Sequence, residues 1–267
     1  MTAAAPFPPP AVRFAVDEGI ATLSFDNPNR MNALTAAMWA AIPEFVAEAT
    51  ARDDVRVLVV RGAGEKAFSA GADISEFGTA RTGDAARTYD ALNEAAFNAI
   101  IGLEKPSIAM IHGFCLGGGL GIAACCDLRI ADSSAEFAIP AAKLGIGYDP
   151  RWLRTLLALA PPSRVKELLF TGRRFSADEA LAMGLLNRVL SADALEGATA
   201  ALAAEIAGNA PLTIKAAKKA IDELVRRPES ADIDRLGEYV RACFESADYR
   251  EGRTAFMEKR KPRFSGN

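Results

Sequence analysis

The sequence predicts an α/β fold with a helical C-terminal region. Short β-branched runs alternate with helical periodicity as far as Pro150, and beyond it the pattern is helical almost to the end. Of the 267 residues, 50% are hydrophobic and 24% charged, which is enough apolar material for one large core and excludes a disordered or disulfide-stapled chain.

Each element has its own signal. Pro6-Phe7-Pro8-Pro9-Pro10 is too rich in proline to pair in a sheet, so residues 1–10 are expected as a flexible arm. Ala11–Val16 and Ile20–Phe25 read as a hairpin around Asp17-Glu18-Gly19. Thr35 is placed to cap a helix with Met38, Ala41, Ile42, Phe45 and Ala49 at helical spacing, and Pro43 predicts a kink or a late start. Val55–Arg61 is the apolar run of a strand buried on both faces. Gly62–Asp73 reads as loop. Asp84 opens a helix that carries Leu92, Ala96, Ile100 and Leu103 on one face. Ser107–Ile111 is another buried strand, followed by a glycine-rich stretch and a small-residue helix to Cys126. Leu128–Ala131 and Glu136–Ile139 are short strands. The α/β core is set at residues 11–200 and the C-terminal helical region at 201–267.

Charge and composition narrow the function. A net charge of −3 argues against non-specific binding to nucleic acid or anionic membrane. No run approaches the roughly 20 apolar residues of a membrane span, and the N-terminus has no signal-peptide pattern. A cytoplasmic location is expected, with no nucleic-acid or membrane partner. Cys115, Cys125, Cys126 and Cys243 lack C-x-x-C spacing and read as small buried hydrophobes. A single histidine, His112, removes most metal sites and charge-relay triads, so no metal is expected. His112 can pair with Cys115 as base and nucleophile, or simply end a buried strand. Otherwise chemistry falls to carboxylates, tyrosine or backbone amides.

Two segments suit backbone amides. Gly117-Gly118-Gly119 opens a helix, where unpaired N–H groups and partial positive charge favour an anion or oxyanion. Gly119-x-Gly121-x-x-Ala124 is a loose match to the dinucleotide fingerprint, but the strand ends too early and Asp127 and Asp132 come too soon. Ala67–Asp73 falls one residue short of a nucleophile elbow, and its small residues suit a turn that offers an N–H outward.

Asn29-Arg30-Met31-Asn32-Ala33-Leu34, Phe68-Ser-Ala-Gly-Ala-Asp73, Lys105-Pro106-Ser107, His112-Gly-Phe-Cys-Leu-Gly-Gly-Gly119 and Cys126-Asp127-Leu-Arg-Ile-Ala131 follow one another in order. Met183-Gly-Leu-Leu-Asn187 and Glu258-Lys259-Arg260-Lys261-Pro262 continue the series. With these motifs the chain resembles the crotonase superfamily, the enoyl-CoA hydratase/isomerase family. The resemblance implies a crotonase-like spiral of ββα units, a C-terminal region used for oligomerisation into homotrimers or hexamers, and acyl-CoA thioester substrates. No separate cofactor is implied, since coenzyme A is part of the substrate. By the same resemblance the backbone N–H groups of Ala72 and Gly118 form an oxyanion hole, and Arg30, Ala70, Asp73, Ile74, Gly117, Ala141, Phe256 and Lys259 contact substrate.

The chain departs from the family pattern at two places. Typical hydratases carry glutamates where this sequence has Gly121 and Ala141, and neither can transfer a proton. Since each general acid or base is worth roughly 100- to 10,000-fold, slow or absent hydration of crotonyl-CoA is expected. Asp149 aligns with the aspartate of dienoyl-CoA isomerases and with the nucleophile of 4-chlorobenzoyl-CoA dehalogenase. Tyr148 aligns with a tyrosine of methylmalonyl-CoA decarboxylase. Both are candidate catalytic residues, with burial expected to raise the pKa of Asp149; Asp149 before Pro150 also fits a helix N-cap, and Tyr148 a pocket wall. Hydratase/isomerase chemistry on an enoyl-CoA is the leading expectation; decarboxylation, dehalogenation and inactive acyl-CoA binding are the alternatives. Glu136 is a weaker candidate base, since strand alternation can turn it outward. Arg56 reads as a phosphate contact or a solvated charge, and Lys215, Lys218 and Lys219 as an exposed face. Lys259-Arg260-Lys261 reads as a helix C-cap, a reach to a neighbour's coenzyme A, or both.

Overall fold

The chain lays its strands down in pairs, each pair followed by a helix. In the computed structural model, which describes residues 9–76 and 83–267, β1 (Ala11–Asp17) and β2 (Ile20–Asp26) precede α1 (Ala36–Ala51). β3 (Val57–Gly62) and β4 (Ala67–Ser69) precede α2 (Gly83–Gly102), and β5 (Ser107–Ile111) and β6 (Phe114–Leu116) precede α3 (Gly118–Cys125). β7 (Leu128–Asp132) and β8 (Glu136–Ala138) precede α4 (Pro150–Leu157). Next come α5 (Pro162–Thr171), β9 (Phe175–Ser176), α6 (Ala177–Met183), β10 (Arg188–Leu190) and α7 (Ala192–Ala207). The chain closes with α8 (Pro211–Arg226), α9 (Ile233–Glu245) and α10 (Ala247–Glu258). The predicted arm lies outside the described residues as far as residue 8.

Successive strands divide between two sheets. One has the order β1-β2-β3-β5-β7-β10, antiparallel at β1/β2 and parallel elsewhere; the other runs β4-β6-β8-β9. The parallel strands are buried on both faces, which is why they read as unbroken apolar runs: all five residues of β5 are buried. One face of the larger sheet packs with α1, α2 and α3 around Trp39, Phe68 and Phe97. On the other face Val57, Val59, Ile108, Met110 and Ile130 meet Leu195 and Ala203 of α7. Residues 200 and 201, where the sequence divides core from C-terminal region, lie inside α7. No helix among the described residues is long and apolar enough to cross a membrane.

Several expectations are corrected. Residues 62–73 are not all loop: Gly62 ends β3 and Ala67–Ser69 form β4, every residue of it buried. Two or three residues are too few to display a period, so β4, β6, β9 and β10 carried no signal. The helix around Pro43 does not start late, because the Thr35 Oγ1 accepts a hydrogen bond from the Met38 N–H (3.3 Å) and the helix begins at Ala36. Lys218 is not an exposed charge: its side chain is 10% exposed and its Nζ donates to Asp127 (2.8 Å). Lys215 and Lys219 pair with Glu104. Arg56 is not simply a solvated charge: its guanidinium donates to the carbonyls of Phe264 and Ser265 (3.3 Å each) and holds the C-terminal tail.

Much of the motif series fastens elements together. Lys105 donates to the carbonyls of Ala49 and Arg52 at the end of α1. Asp127 accepts from the N–H and hydroxyl of Ser107 (2.7 and 2.9 Å), and the buried Arg129 donates to the Leu185 carbonyl (2.8 Å).

Candidate active site

The Asn29–Leu34 motif builds the floor of the site. Met31 and Asn32 both adopt left-handed φ (51° and 54°), a conformation asparagine tolerates better than most residues. The buried Asn32 side chain then accepts from the Asn27 N–H (3.0 Å) and donates to the Ala63 and Ala67 carbonyls (3.0 and 2.7 Å). The Ser69 hydroxyl donates to the Asn32 carbonyl (2.8 Å), and the Ala70 N–H to the Met31 carbonyl (2.9 Å). Residues 67–73 are thereby fixed from below.

Next comes a single parallel bridge, Leu34 to Ala72. It uses the Gly71 carbonyl (2.7 Å from the Leu34 nitrogen) and the Asp73 N–H (2.9 Å from the Leu34 carbonyl), leaving the Ala72 N–H unused. Opposite stands the start of α3. Gly117 takes φ 51° and ψ −119°, which glycine accommodates, and turns the chain so that Gly118 is the first helical residue with its N–H free of intrahelical bonds. The two amides are neighbours: a β-carbon at Gly118 would stand 3.8 Å from the Ala72 nitrogen, and one at Gly71 would stand 3.1 Å from the Gly118 nitrogen. Such a pair can hold an oxygen as it gains negative charge.

Both groups face a cavity of about 430 Å³, together with Ala70, Gly117, Ala141, Tyr148 and Asp149. Ile74, 70% exposed, stands at its mouth. A larger hollow, bounded in part by α4 and α8, does not include these amides. Arg30 and Asp73 do not line the cavity; they pair with each other (3.0 Å) beside it. Burial pushes the Asp73 carboxyl up, but the Ser75 hydroxyl and N–H and the Arg30 charge outweigh it and hold the group below its ordinary value. Phe256 (83% exposed) and Lys259 lie at the end of α10, away from the cavity of their own chain.

Asp149 is a helix cap, accepting from the Arg151 N–H (2.8 Å). The Arg151 guanidinium also bonds the Asp149 carboxylate (2.6 Å) and pairs with Glu94 of α2. Those bonds hold the Asp149 carboxyl below the usual carboxylate range, so the upward shift expected from burial is corrected: the group is partly exposed and faces a cation. Burial drives the Tyr148 hydroxyl up, keeping it neutral. Glu136 pairs with Arg174 (2.8 Å), away from the cavity. Cys115 is buried, with its thiol raised well above the ordinary value by burial, and burial first, then Arg61, lowers His112; a thiolate–imidazolium pair is not what this environment favours. Among the described residues no cluster of metal-binding side chains occurs.

Four residues that the sequence reading passed over shape the cavity. The Trp39 ring would lie 2.8 Å from a β-carbon at Gly118, and the Phe97 ring 2.8 Å from one at Gly121. Phe97 packs edge-on between Trp39 and Trp152, at 5.6 and 4.5 Å between ring centroids. Asn93 is the fourth. Trp39 and Phe97 sit beside the helical stripes read as core, and their signal was the complementary absence of side chains at Gly118 and Gly121.

Paired strands feeding two sheets, with free backbone amides from successive units meeting over one cavity, define an α/β protein with a pair of N–H donors facing that cavity. Residues 15–267 match the family model described as Enoyl-CoA hydratase/isomerase, and the chain belongs to that family. It is 36% identical over 252 residues to a crotonyl-CoA hydratase of Syntrophomonas wolfei, covering 93% of this chain and 95% of that protein. To a short-chain-enoyl-CoA hydratase of Clostridium acetobutylicum it is 37% identical over 246 residues, covering 91% and 92%. Among solved structures, an enoyl-CoA hydratase/carnithine racemase from Magnetospirillum magneticum aligns with a TM-score of 0.92 at 37% identity, covering 96% of each chain. The crotonase-like architecture expected from the motifs is therefore the fold of this chain.

Proposed function

We propose that the chain is an acyl-CoA thioester enzyme performing hydratase/isomerase-type chemistry on an enoyl-CoA. The observation that carries this is the side-by-side pair of free amides, Ala72 and Gly118, on the wall of a cavity that Tyr148 and Asp149 share. The thioester carbonyl oxygen binds between the two N–H groups, which stabilise the enolate as charge moves onto it. Asp149, ionised at neutral pH, accepts a proton from the acyl chain, and neutral Tyr148 donates a hydrogen bond to developing charge. Ala70, Ile74, Gly117 and Ala141 contact the substrate. Arg30 and Asp73 order the rim, and Phe256 and Lys259 reach the coenzyme A of a neighbouring subunit in a homotrimer or hexamer. Support for that assembly comes from the exposed apolar side chains of the last helices, among them Phe244, Phe256 and Met257. No separate cofactor is required, and the cytoplasm is the proposed location.

A second reading, decarboxylation with Tyr148, is favoured by one feature: Phe97 occupies the space beside Gly121, where typical hydratases carry a glutamate. Decarboxylation needs an enolate trap and no base at Cα.

Turnover of enoyl-, dienoyl- and methylmalonyl-CoA by Asp149→Asn and Tyr148→Phe tests both. Asp149→Asn should lower kcat on the preferred enoyl-CoA about 100- to 10,000-fold. Acyl-CoA affinity and melting temperature should stay unchanged, because asparagine caps a helix nearly as well. Survival of activity in Asp149→Asn, with loss in Tyr148→Phe, transfers the assignment to decarboxylation.

A further inference from the structure

Among the described residues three buried side-chain polar atoms have no hydrogen-bond partner: Asn93 Nδ2, His112 Nε2 and Thr199 Oγ1. Of these three residues only Asn93 lines the cavity that holds the Ala72 and Gly118 amides. It stands on α2 between Asp90 and Phe97, spaced three and four residues from them, so all three present one helical face to the cavity. A sealed amide N–H with nothing to bond is unfavourable until an acceptor arrives. The last torsion of asparagine is soft, so the amide can turn toward a ligand within its rotamer.

The surroundings decide which acceptor fits. Phe97, one turn along the helix from Asn93, and Ile146 and Trp152 give the same cavity apolar lining. Arg151 is the one cation among the described lining residues, and Asp149 and Glu94 both engage it. Asp90 and Asp149 add negative charge to the rim. A free carboxylate at the far end of the acyl chain would meet carboxylates instead of a free cation, whereas a neutral hydroxyl or keto oxygen meets the amide without repulsion. Resting on the reading of this cavity as an acyl-CoA site, we infer that Asn93 is a specificity-determining residue that selects acyl chains bearing a neutral oxygen beyond the thioester carbonyl. An unsubstituted chain leaves the amide unpaired, and a site built to bond an oxygen discriminates against ligands that lack it.

Calorimetric titration of the whole protein with free coenzyme A, butyryl-CoA, 3-hydroxybutyryl-CoA, 4-hydroxybutyryl-CoA, acetoacetyl-CoA and succinyl-CoA tests this. At least one of the three neutral oxygenated chains should bind about 3- to 10-fold tighter than butyryl-CoA, the range of one net hydrogen bond, and succinyl-CoA should not. Asn93→Leu and Asn93→Asp, each checked for an unchanged melting curve, should erase that advantage and retain butyryl-CoA binding. Equal binding of oxygenated and plain chains by the wild type overturns the inference, as does tightest binding of succinyl-CoA or an advantage that survives in a folded variant. Butyryl-CoA binding without any oxygen preference overturns this inference alone. Binding of every thioester no tighter than free coenzyme A overturns the acyl-CoA reading, and this inference with it.

Discussion

The cavity has two unlike walls. The inner wall, where Ala70, Ala72, Gly117 and Gly118 line the cavity, is made of backbone: its N–H groups are aimed by the Asn32 bonds, by the Leu34–Ala72 bridge and by the Trp39 ring. The outer wall, residues 141–152, is made of side chains. It is more exposed, with Leu144 at 59%, and is held by the ion pairs of Arg151 with Asp149 and Glu94. A backbone donor survives most substitutions and is lost only when packing moves it. A side-chain acid or base is lost in one change. The inner wall therefore suits the part of the chemistry that a family shares, and the outer wall the part that distinguishes its members.

The sharpest way to break this contrast is Gly118→Ala. The new methyl would stand 2.8 Å from the fully buried Trp39 ring, which has no room to retreat, so the helix start must shift and carry its N–H away from Ala72. Loss of one oxyanion donor lowers kcat about 100- to 1,000-fold, and steady-state kinetics should find that loss with little change in KM. A variant as active as wild type would remove the amide pair from the mechanism.

Gly121→Glu restores the residue type that hydratases carry. It should not restore hydration, because its β-carbon would meet the Phe97 ring at 2.8 Å. Overpacking of this kind costs about 1–3 kcal/mol, readable by denaturant unfolding. Adding Phe97→Ala should recover part of that stability, a coupling that a double-mutant cycle measures. Additive effects would mean that Phe97 does not fill the space.

The smallest effect is on pH dependence. If Asp149 is the base, kcat/KM follows its ionised form. Arg151 hydrogen bonds depress its pKa, so the acid limb should lie below the ordinary aspartate value of 3.8, with activity lost as pH falls through the depressed value. In Arg151→Met the limb should move up toward that ordinary value. An unmoved limb would take the titration away from Asp149.

The parts of the molecule that read well from the sequence are those with long periods or several residues in fixed order. The doubly buried β3 and β5, the Thr35 cap and the glycine-rich helix start all announced themselves. Most of the second sheet did not: β8 was marked, but β4 and β6 are three residues each and owe their existence to pairing with strands distant in sequence. In the site, small residues marked the two segments as able to present backbone N–H groups, while Ala72 and Gly118 themselves were named by the family resemblance; the structure places those two amides side by side. The Asp149 cap was legible too, from Pro150 behind it, but its ion pair with Arg151 was not, as that contact also needs Glu94 from another helix. Asn93 was invisible for the same reason: a polar residue on an amphipathic helix reads as solvated until the cavity beside it is known.

The Phe97–Gly121 contact also bears on descent. A chain that carries this aromatic ring beside Gly121 cannot accept a glutamate there by a single change without a clash, so the ring has to shrink first. That intermediate has an empty space in its core, which large-to-small substitution makes costly. Two neighbouring residues are thus coupled by packing alone: a glutamate at 121 and the ring at 97 compete for one space, so the order of the two changes matters.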